Sequence, residues 1–190
     1  MVKINRKTKE TDIGVEIELY GKGKSNISTG IGFFDHMLEA FSKHSLVDLN
    51  VTCKGDTHID FHHSVEDVGI VLGEALKEAI FPIQNVERYS NAVVVMDEAA
   101  VESSLDLSNR AYLVYDVALS GKVGEFDVEL AEEFFRAVVS SAGLTLHIEC
   151  KRGKNKHHIL EAVFKSFAVA LRRSIVKNDR VGIPSTKGIL

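Results

Sequence analysis

Cysteine and proline are both scarce in this chain. Only Cys53 and Cys150 occur among 190 residues. That is too few for a disulfide scaffold or a thiolate zinc site, so a reducing cytoplasm is the natural expectation. Pro82 and Pro184 are the only prolines, and no low-complexity linker divides the chain. No apolar run approaches the roughly 18 residues of a membrane span, and the region around Met1 is polar, so no membrane partner is expected. A basic cluster is also missing. Lys and Arg number 23 against 27 Asp and Glu, a formal charge of −4, and the pI is near 6.1, which argues against nucleic acid as a partner. What remains is an ordinary globular composition, long enough to bury a core unaided. Its unusual component is eight histidines, five of which (His58, His62, His63, His157 and His158) fall in two short stretches.

Period-2 alternation marks strands at Ile13–Leu19, Val47–Cys53 and Leu144–Cys150. The runs Ala92–Met96 and Ala111–Val117 are apolar enough to predict more fully buried strands. Four helical stripes follow the 3.6 period: Phe33–Phe41, Val65–Ala79, Leu130–Val139 and Leu160–Leu171. These elements repeat. Residues 95 positions apart are identical at His62/His157, His63/His158, Glu66/Glu161, Val68/Val163, Ala75/Ala170, Leu76/Leu171 and Ile80/Ile175. Leu49–Cys53 matches Leu146–Cys150 at a similar offset, and Gly21-Lys22 has a candidate mate in Gly121-Lys122. Two similar strand-rich halves are therefore expected, residues 1–88 and 89–190, each with two helices and packed together as one unit.

Both copies carry His-His-x-x-Glu at the start of a helix. Residues three and four apart share a helix face, so Glu66 stands beside His62 and His63, and Glu161 beside His157 and His158. The arc they fill lies opposite the apolar stripe, leaving imidazoles and carboxylates free to converge on a borderline divalent metal such as manganese, iron, nickel or zinc. A His-rich polar helix end explains one such copy as well as a metal does; two copies at matched positions favour the metal. His36 and its repeat mate Glu133 lie on equivalent helices, as ligands or as surface residues. His44, on the apolar edge of its helix, reads as a satisfied core histidine, while His147 reads as surface and His58 as loop. Asp60 and Asp67 are candidates to orient a ligand histidine.

Several stretches together are identified with one family. They are Gly30-Ile31-Gly32-Phe33-Phe34-Asp35-His36-Met37-Leu38, Asp60-Phe61-His62-His63-Ser64-Val65-Glu66-Asp67-Val68-Gly69, Met96-Asp97-Glu98-Ala99 and Asp106-Leu107-Ser108-Asn109-Arg110. His157-His158-Ile159-Leu160-Glu161-Ala162-Val163-Phe164-Lys165 and Pro184-Ser185-Thr186-Lys187-Gly188 complete the set. In order and without large gaps from Arg6 to Leu190, the chain resembles the imidazoleglycerol-phosphate dehydratases of histidine biosynthesis. The resemblance implies an α+β fold of the ribosomal protein S5 domain 2-like kind. Each duplicated half would be a four-stranded sheet with two helices on one face. It also implies a cytoplasmic homo-oligomer, a twenty-four-subunit shell with active sites between subunits, two manganese ions in each.

By motif match, the resemblance makes His36, His62, His63, Glu66, His157, His158 and Glu161 metal ligands. Glu133 stands where the family has a further histidine ligand. Glu10, in Arg6-Lys7-Thr8-Lys9-Glu10-Thr11, takes the acid–base role, and Arg88, Arg110, Ser185 and Lys187 the phosphate-binding roles. Guanidiniums grip phosphate oxygens bidentately, a lysine supplies a point charge and a serine a neutral donor. Where the family often has a glutamine, Glu39-Ala40 stands, which implies one substrate contact fewer. The implied reaction removes water from imidazole glycerol phosphate to give imidazole acetol phosphate. Metal ions would acidify the substrate's ring, and Glu10 would move the carbon-bound proton. Two other classes share parts of this pattern. A dinuclear metallohydrolase acting on a small phosphate ester would use the same ligands, and a non-catalytic metal-stabilised assembly module would not need the cations.

Overall fold

The alternating and helical segments assemble into two sheets that enclose a double layer of helices. The computed structural model describes residues 1–190. Strands β1 (Val2–Lys7), β2 (Thr11–Glu18), β3 (Ser25–Ser28) and β4 (Asp48–Gly55) form the first sheet in the order β1-β2-β4-β3, with helices α1 (Gly32–Ser45) and α2 (His62–Ile80). Strands β5 (Tyr89–Met96), β6 (Ala99–Asp106), β7 (Tyr112–Asp116) and β10 (Thr145–Arg152) form the second in the order β5-β6-β10-β7, with α3 (Leu130–Ala142) and α4 (Lys156–Ser174). In both, two antiparallel pairs are followed by one parallel pair. The parallel pairs are β3–α1–β4 and β7–α3–β10, since a parallel connection needs a crossover long enough to hold a helix. The fold is α+β, duplicated in topology.

The alternation of β2 and β4 sets the core side of the first sheet. Ile13 faces Cys53, Val15 faces Val51 and Ile17 faces Leu49 across the antiparallel pair, and all six are buried. A one-residue slip would carry every one of them to solvent. Helix α2 lies on β1, β2 and β4, and α4 lies on β5, β6 and β10. The two helix layers then meet, α1 against α4 and α2 against α3. Aromatic rings knit them together: Phe34 to Phe134 at 5.3 Å, Phe134 to Phe164 at 5.3 Å and Phe41 to Phe167 at 5.5 Å between centroids.

Three sequence expectations are corrected by the structure. Ala92–Met96 is not a fully buried strand, because β5, at the sheet edge, is covered by α4 on one face only. Its outer side chains Val93 and Val95 are 55% and 72% exposed. Ala111–Val117 likewise yields an edge strand, β7, with Tyr112 exposed. The pairing of Gly21-Lys22 with Gly121-Lys122 is coincidental. The former lies between β2 and β3, whereas the latter opens β8 (Lys122–Val123), which pairs with β9 (Phe126–Asp127) in a hairpin found only in the second half.

Two glycines set how closely α2 approaches α3. A Cβ at Gly69 would come within 2.8 Å of the Phe134 carbonyl oxygen, and one at Gly73 within 2.7 Å of the Val138 carbonyl oxygen. These neighbours are backbone and cannot swing aside. Alanine at Gly73 should gain close to 1 kcal/mol of helix propensity but lose about 1–3 kcal/mol to overpacking. Gly73→Ala is therefore expected to lower the midpoint of thermal unfolding, and an unchanged or raised midpoint would contradict the close helix contact.

Candidate active site

Each His-His pair stands at a helix N-terminus fixed by a local side chain. The Asn155 side chain caps α4, accepting from the backbone N–H groups of His157 and His158 at 2.9 and 3.3 Å. Asp60 does similar work for α2, accepting from the His62 N–H at 2.8 Å. Asp35 is held by the backbone N–H and hydroxyl of Thr29 at 2.9 and 2.5 Å, steadying the first turn of α1 beside His36. As a result the two pairs have the same shape. Ring centroids are 6.2 Å apart at 90° for His62 and His63, and 6.3 Å apart at 83° for His157 and His158.

The α1–α4 contact brings three donors together. One donor atom each from His36, His157 and Glu161 lies within 4.8 Å of the others. The Glu161 Oε2 is 3.1 Å from His157 Nε2 and 3.5 Å from His36 Nε2. Burial pushes the Glu161 carboxyl up, but Lys165 at 2.6 Å and the neighbouring His36 and His157 outweigh it and hold its pKa below the ordinary value. In the other copy, His62 Nε2 is 3.7 Å from Glu66 Oε2. Glu133 sits in the first turn of α3, 3.9 Å from the Arg136 guanidinium, and is not brought into the three-donor cluster.

The second histidine of each pair is oriented by a carboxylate. His63 Nδ1 is 2.9 Å from Asp56 and 3.9 Å from Glu10. His158 Nδ1 is 2.8 Å from Glu98. These hydrogen bonds raise both imidazole pKa values above the ordinary value. The Glu98 carboxyl falls to about 2, chiefly because it accepts from the Asn155 backbone, then from His158 and the Lys154 backbone. A carboxylate on Nδ1 directs the free Nε2 outward as a ligand nitrogen. Two imidazoles and a carboxylate in one cluster fit a borderline divalent ion; His63 and His158, each held at Nδ1, lie outside that cluster.

That orienting role was expected of Asp60 or Asp67, and the structure gives it to neither. Asp60 binds the His62 backbone, and Asp67 is spent on Arg6 and Thr11, each at 2.5 Å. Asp56 and Glu98 were missed because they lie in loops, seven and sixty residues from the histidines they hold, where no helical spacing rule applies. The expectation for His44 also fails. It is half-buried with no hydrogen-bond partner, and desolvation, then Lys165 and Arg172, push its pKa down. His58 is exposed, and His147 lies half-buried on the outer face of the second sheet near Tyr112.

Arg88, Arg110, Ser185 and Lys187 come from three separate stretches, yet all line one cavity of about 810 Å³. Arg88 has φ 67°, a left-handed conformation rare outside glycine, just before β5. Its buried guanidinium donates from Nε and Nη2 to Asp106 at 2.7 and 3.2 Å, and from Nη1 to the Pro184 carbonyl at 2.5 Å. Arg110 is exposed, 4.0 Å from Asp106. No histidine lines this cavity. His157 opens instead onto one of about 410 Å³, walled by Phe33, Phe61 and Phe126.

Residues 29–171 match the family described as imidazoleglycerol-phosphate dehydratase. The enzyme of that name from Aliarcobacter butzleri is 70% identical across the whole of both chains. That from Campylobacter curvus is 66% identical over all of this chain and 98% of its own. Among solved structures, the imidazoleglycerol-phosphate dehydratase of Staphylococcus aureus superposes with a TM-score of 0.82 at 41% identity, covering 93% of this chain and 98% of that one. The Pyrococcus furiosus protein, in complex with (S)-C348, gives 0.86 at 40% identity over 98% of this chain and 100% of its own. With a fold, a duplicated donor set and relatives that agree along its length, the chain belongs to the imidazoleglycerol-phosphate dehydratase family.

Proposed function

We propose that this chain dehydrates imidazole glycerol phosphate to imidazole acetol phosphate, using two manganese ions per site in a homo-oligomeric shell of twenty-four subunits in the cytoplasm. No helix is long and apolar enough to cross a membrane. The observation that carries the reading is the convergence of Arg88, Arg110, Ser185 and Lys187 on one cavity, in a chain that also gathers His36, His157 and Glu161. A catalytic centre needs both a grip on the phosphate and a place for the reacting ring. Phosphate grip and donor cluster line different cavities of one chain, which favours sites completed by a second copy.

His36, His157 and Glu161 would hold one ion, and His62, His63, Glu66 and His158 would be the remaining donors; Glu133, standing where the family has a histidine, either adds an oxygen ligand or leaves the site one ligand short. When bound, such ions supply Lewis acidity that makes the substrate's imidazole easier to deprotonate. Arg110 and Lys187 supply charge to the phosphate and Ser185 a neutral donor, fixing one end of the substrate so that its other end is presented in one pose. Glu10 holds or moves the carbon-bound proton. It is exposed in the turn between β1 and β2, with its carboxylate 3.9 Å from His63 Nδ1. Asp56 already occupies that imidazole nitrogen at 2.9 Å, leaving the Glu10 oxygens available to a substrate.

Three outcomes test the proposal. Protein loaded with manganese should convert imidazole glycerol phosphate to its keto product, and Glu10→Gln should cut kcat by about 10²–10⁴-fold with metal content unchanged. Release of inorganic phosphate instead would identify a hydrolase. Light scattering should give a mass of about 500 kDa, as twenty-four copies of a 21.0 kDa chain require; a monomer active at full rate would contradict the shared site, and a dimer active at full rate the twenty-four-subunit shell.

The pH dependence has opposite signs for metal and fold. A ligand imidazole must be neutral, so manganese affinity should climb as pH rises through the raised values of His63 and His158. In metal-free protein their raised pKa values contribute stability at lower pH that is lost over the same rise. Asp56→Asn should return the His63 titration, followed by NMR, toward the ordinary imidazole value.

A further inference from the structure

One carboxylate stands directly behind the cationic cavity. Asp106 ends β6, and both of its oxygens receive the Arg88 guanidinium in a two-point fork, at 2.7 and 3.2 Å. The same carboxylate lies 4.0 Å from Arg110. Arg88 in turn donates to the carbonyl of Pro184, the residue before Ser185. A single carboxylate therefore touches or reaches, through one guanidinium, both walls of the cavity. Its side chain is 19% exposed and that of Arg88 is 8% exposed, so the pair is shielded from solvent that would otherwise loosen it.

On charge alone, an anion at this place is a liability. It repels a phosphate and cancels part of the field of Arg88, Arg110 and Lys187. Geometry gives the opposite expectation. Unpaired, a guanidinium on a flexible stem samples many directions, whereas a bidentate carboxylate fixes the plane and angle of its fork. The two effects predict opposite signs for the removal of Asp106, which makes its role decidable.

We infer that Asp106 is a positioning residue for phosphate binding. It aims Arg88 and, through the Arg88–Pro184 hydrogen bond, sets the segment that carries Ser185 and Lys187. The inference rests on the phosphate-binding reading of this cavity. Arg88 thus has a double duty, with Nε committed to Asp106 and its outer N–H groups divided between Asp106, the Pro184 carbonyl and the cavity.

The test compares Asp106→Asn, Asp106→Glu and Arg110→Ala in the assembled, manganese-loaded enzyme. It measures kcat, KM for imidazole glycerol phosphate and the inhibition constant of inorganic phosphate. In Asp106→Asn, KM and the phosphate inhibition constant should both rise about tenfold or more while kcat changes less than about threefold. Asp106→Glu keeps the charge but moves the fork by one methylene, and should raise both constants by a smaller factor. Tighter phosphate binding in Asp106→Asn would overturn the inference, because the carboxylate would then be only a counter-charge. So would a fall in kcat with KM unmoved, the mark of a merely structural role. Should the asparagine variant not fold, wild-type constants in a folded Asp106→Glu protein would overturn it alone. Arg110→Ala separates the two layers of the argument: unchanged constants there would refute the phosphate reading itself, whatever the Asp106 variants do.

Discussion

The approach of α2 to α3 is the constraint on which the rest depends. Each sheet buries one face on its own pair of helices, and those helices still have an apolar stripe to hide. The only partner available is the helix layer of the other sheet. Gly69 and Gly73 let the α2 backbone come against α3 closely enough for the two layers to interlock, and the aromatic rings of α1, α3 and α4 fill the space between. Once the stripes are committed inward, the opposite arc of α2 and α4 stands at the margin of the core, where its imidazoles and Glu66 are partly exposed and only Glu161 is buried. That arc carries both His-His-x-x-Glu sets.

Duplication gives the two halves one topology, yet their chemistry has diverged in a way that physical placement explains. Glu10 directly precedes β2 and Glu98 directly precedes β6, so the two glutamates occupy the same place in the two sheets. Glu98 is bound by His158 and by two backbone N–H groups. Glu10 has no such set, because Asp56, in the loop after β4, takes the Nδ1 of His63. The equivalent loop after β10 offers Gly153 and Lys154 rather than a carboxylate. One half therefore orients its histidine from the loop and keeps its hairpin glutamate exposed. The other spends that glutamate on orientation.

Much of this was legible in advance. The four helices follow from their apolar periods, since an amphipathic helix lying on a sheet must keep one face apolar over its whole length. The histidine sets follow from the same geometry, and the repeat from identities that survive along α2 and α4. Other elements gave no such signal. Strand β3 has four residues and one apolar side chain, Ile27. Strand β6 hides Ser103 in the core, where its hydroxyl meets that of Ser166 at 2.7 Å, so its alternation reads as polar. Strand β5 erred the other way: Val93 and Val95 look like core, but an edge strand with nothing on its outer face leaves them in solvent.

The amino-acid sequence by itself determined which residues belong to helices, which arc of each helix is apolar, and that imidazole and carboxylate groups stand together at two helix starts. Those are local properties, set by the 3.6-residue period and by side chains a few positions apart. Only the tertiary structure decided that His36 joins His157 and Glu161, that Asp56 and Glu98 rather than Asp60 or Asp67 orient histidines, and that Asp106 grips Arg88. Each of these pairings joins side chains from different elements, and their distances are fixed by how sheets and helix layers pack. No spacing along the chain encodes that.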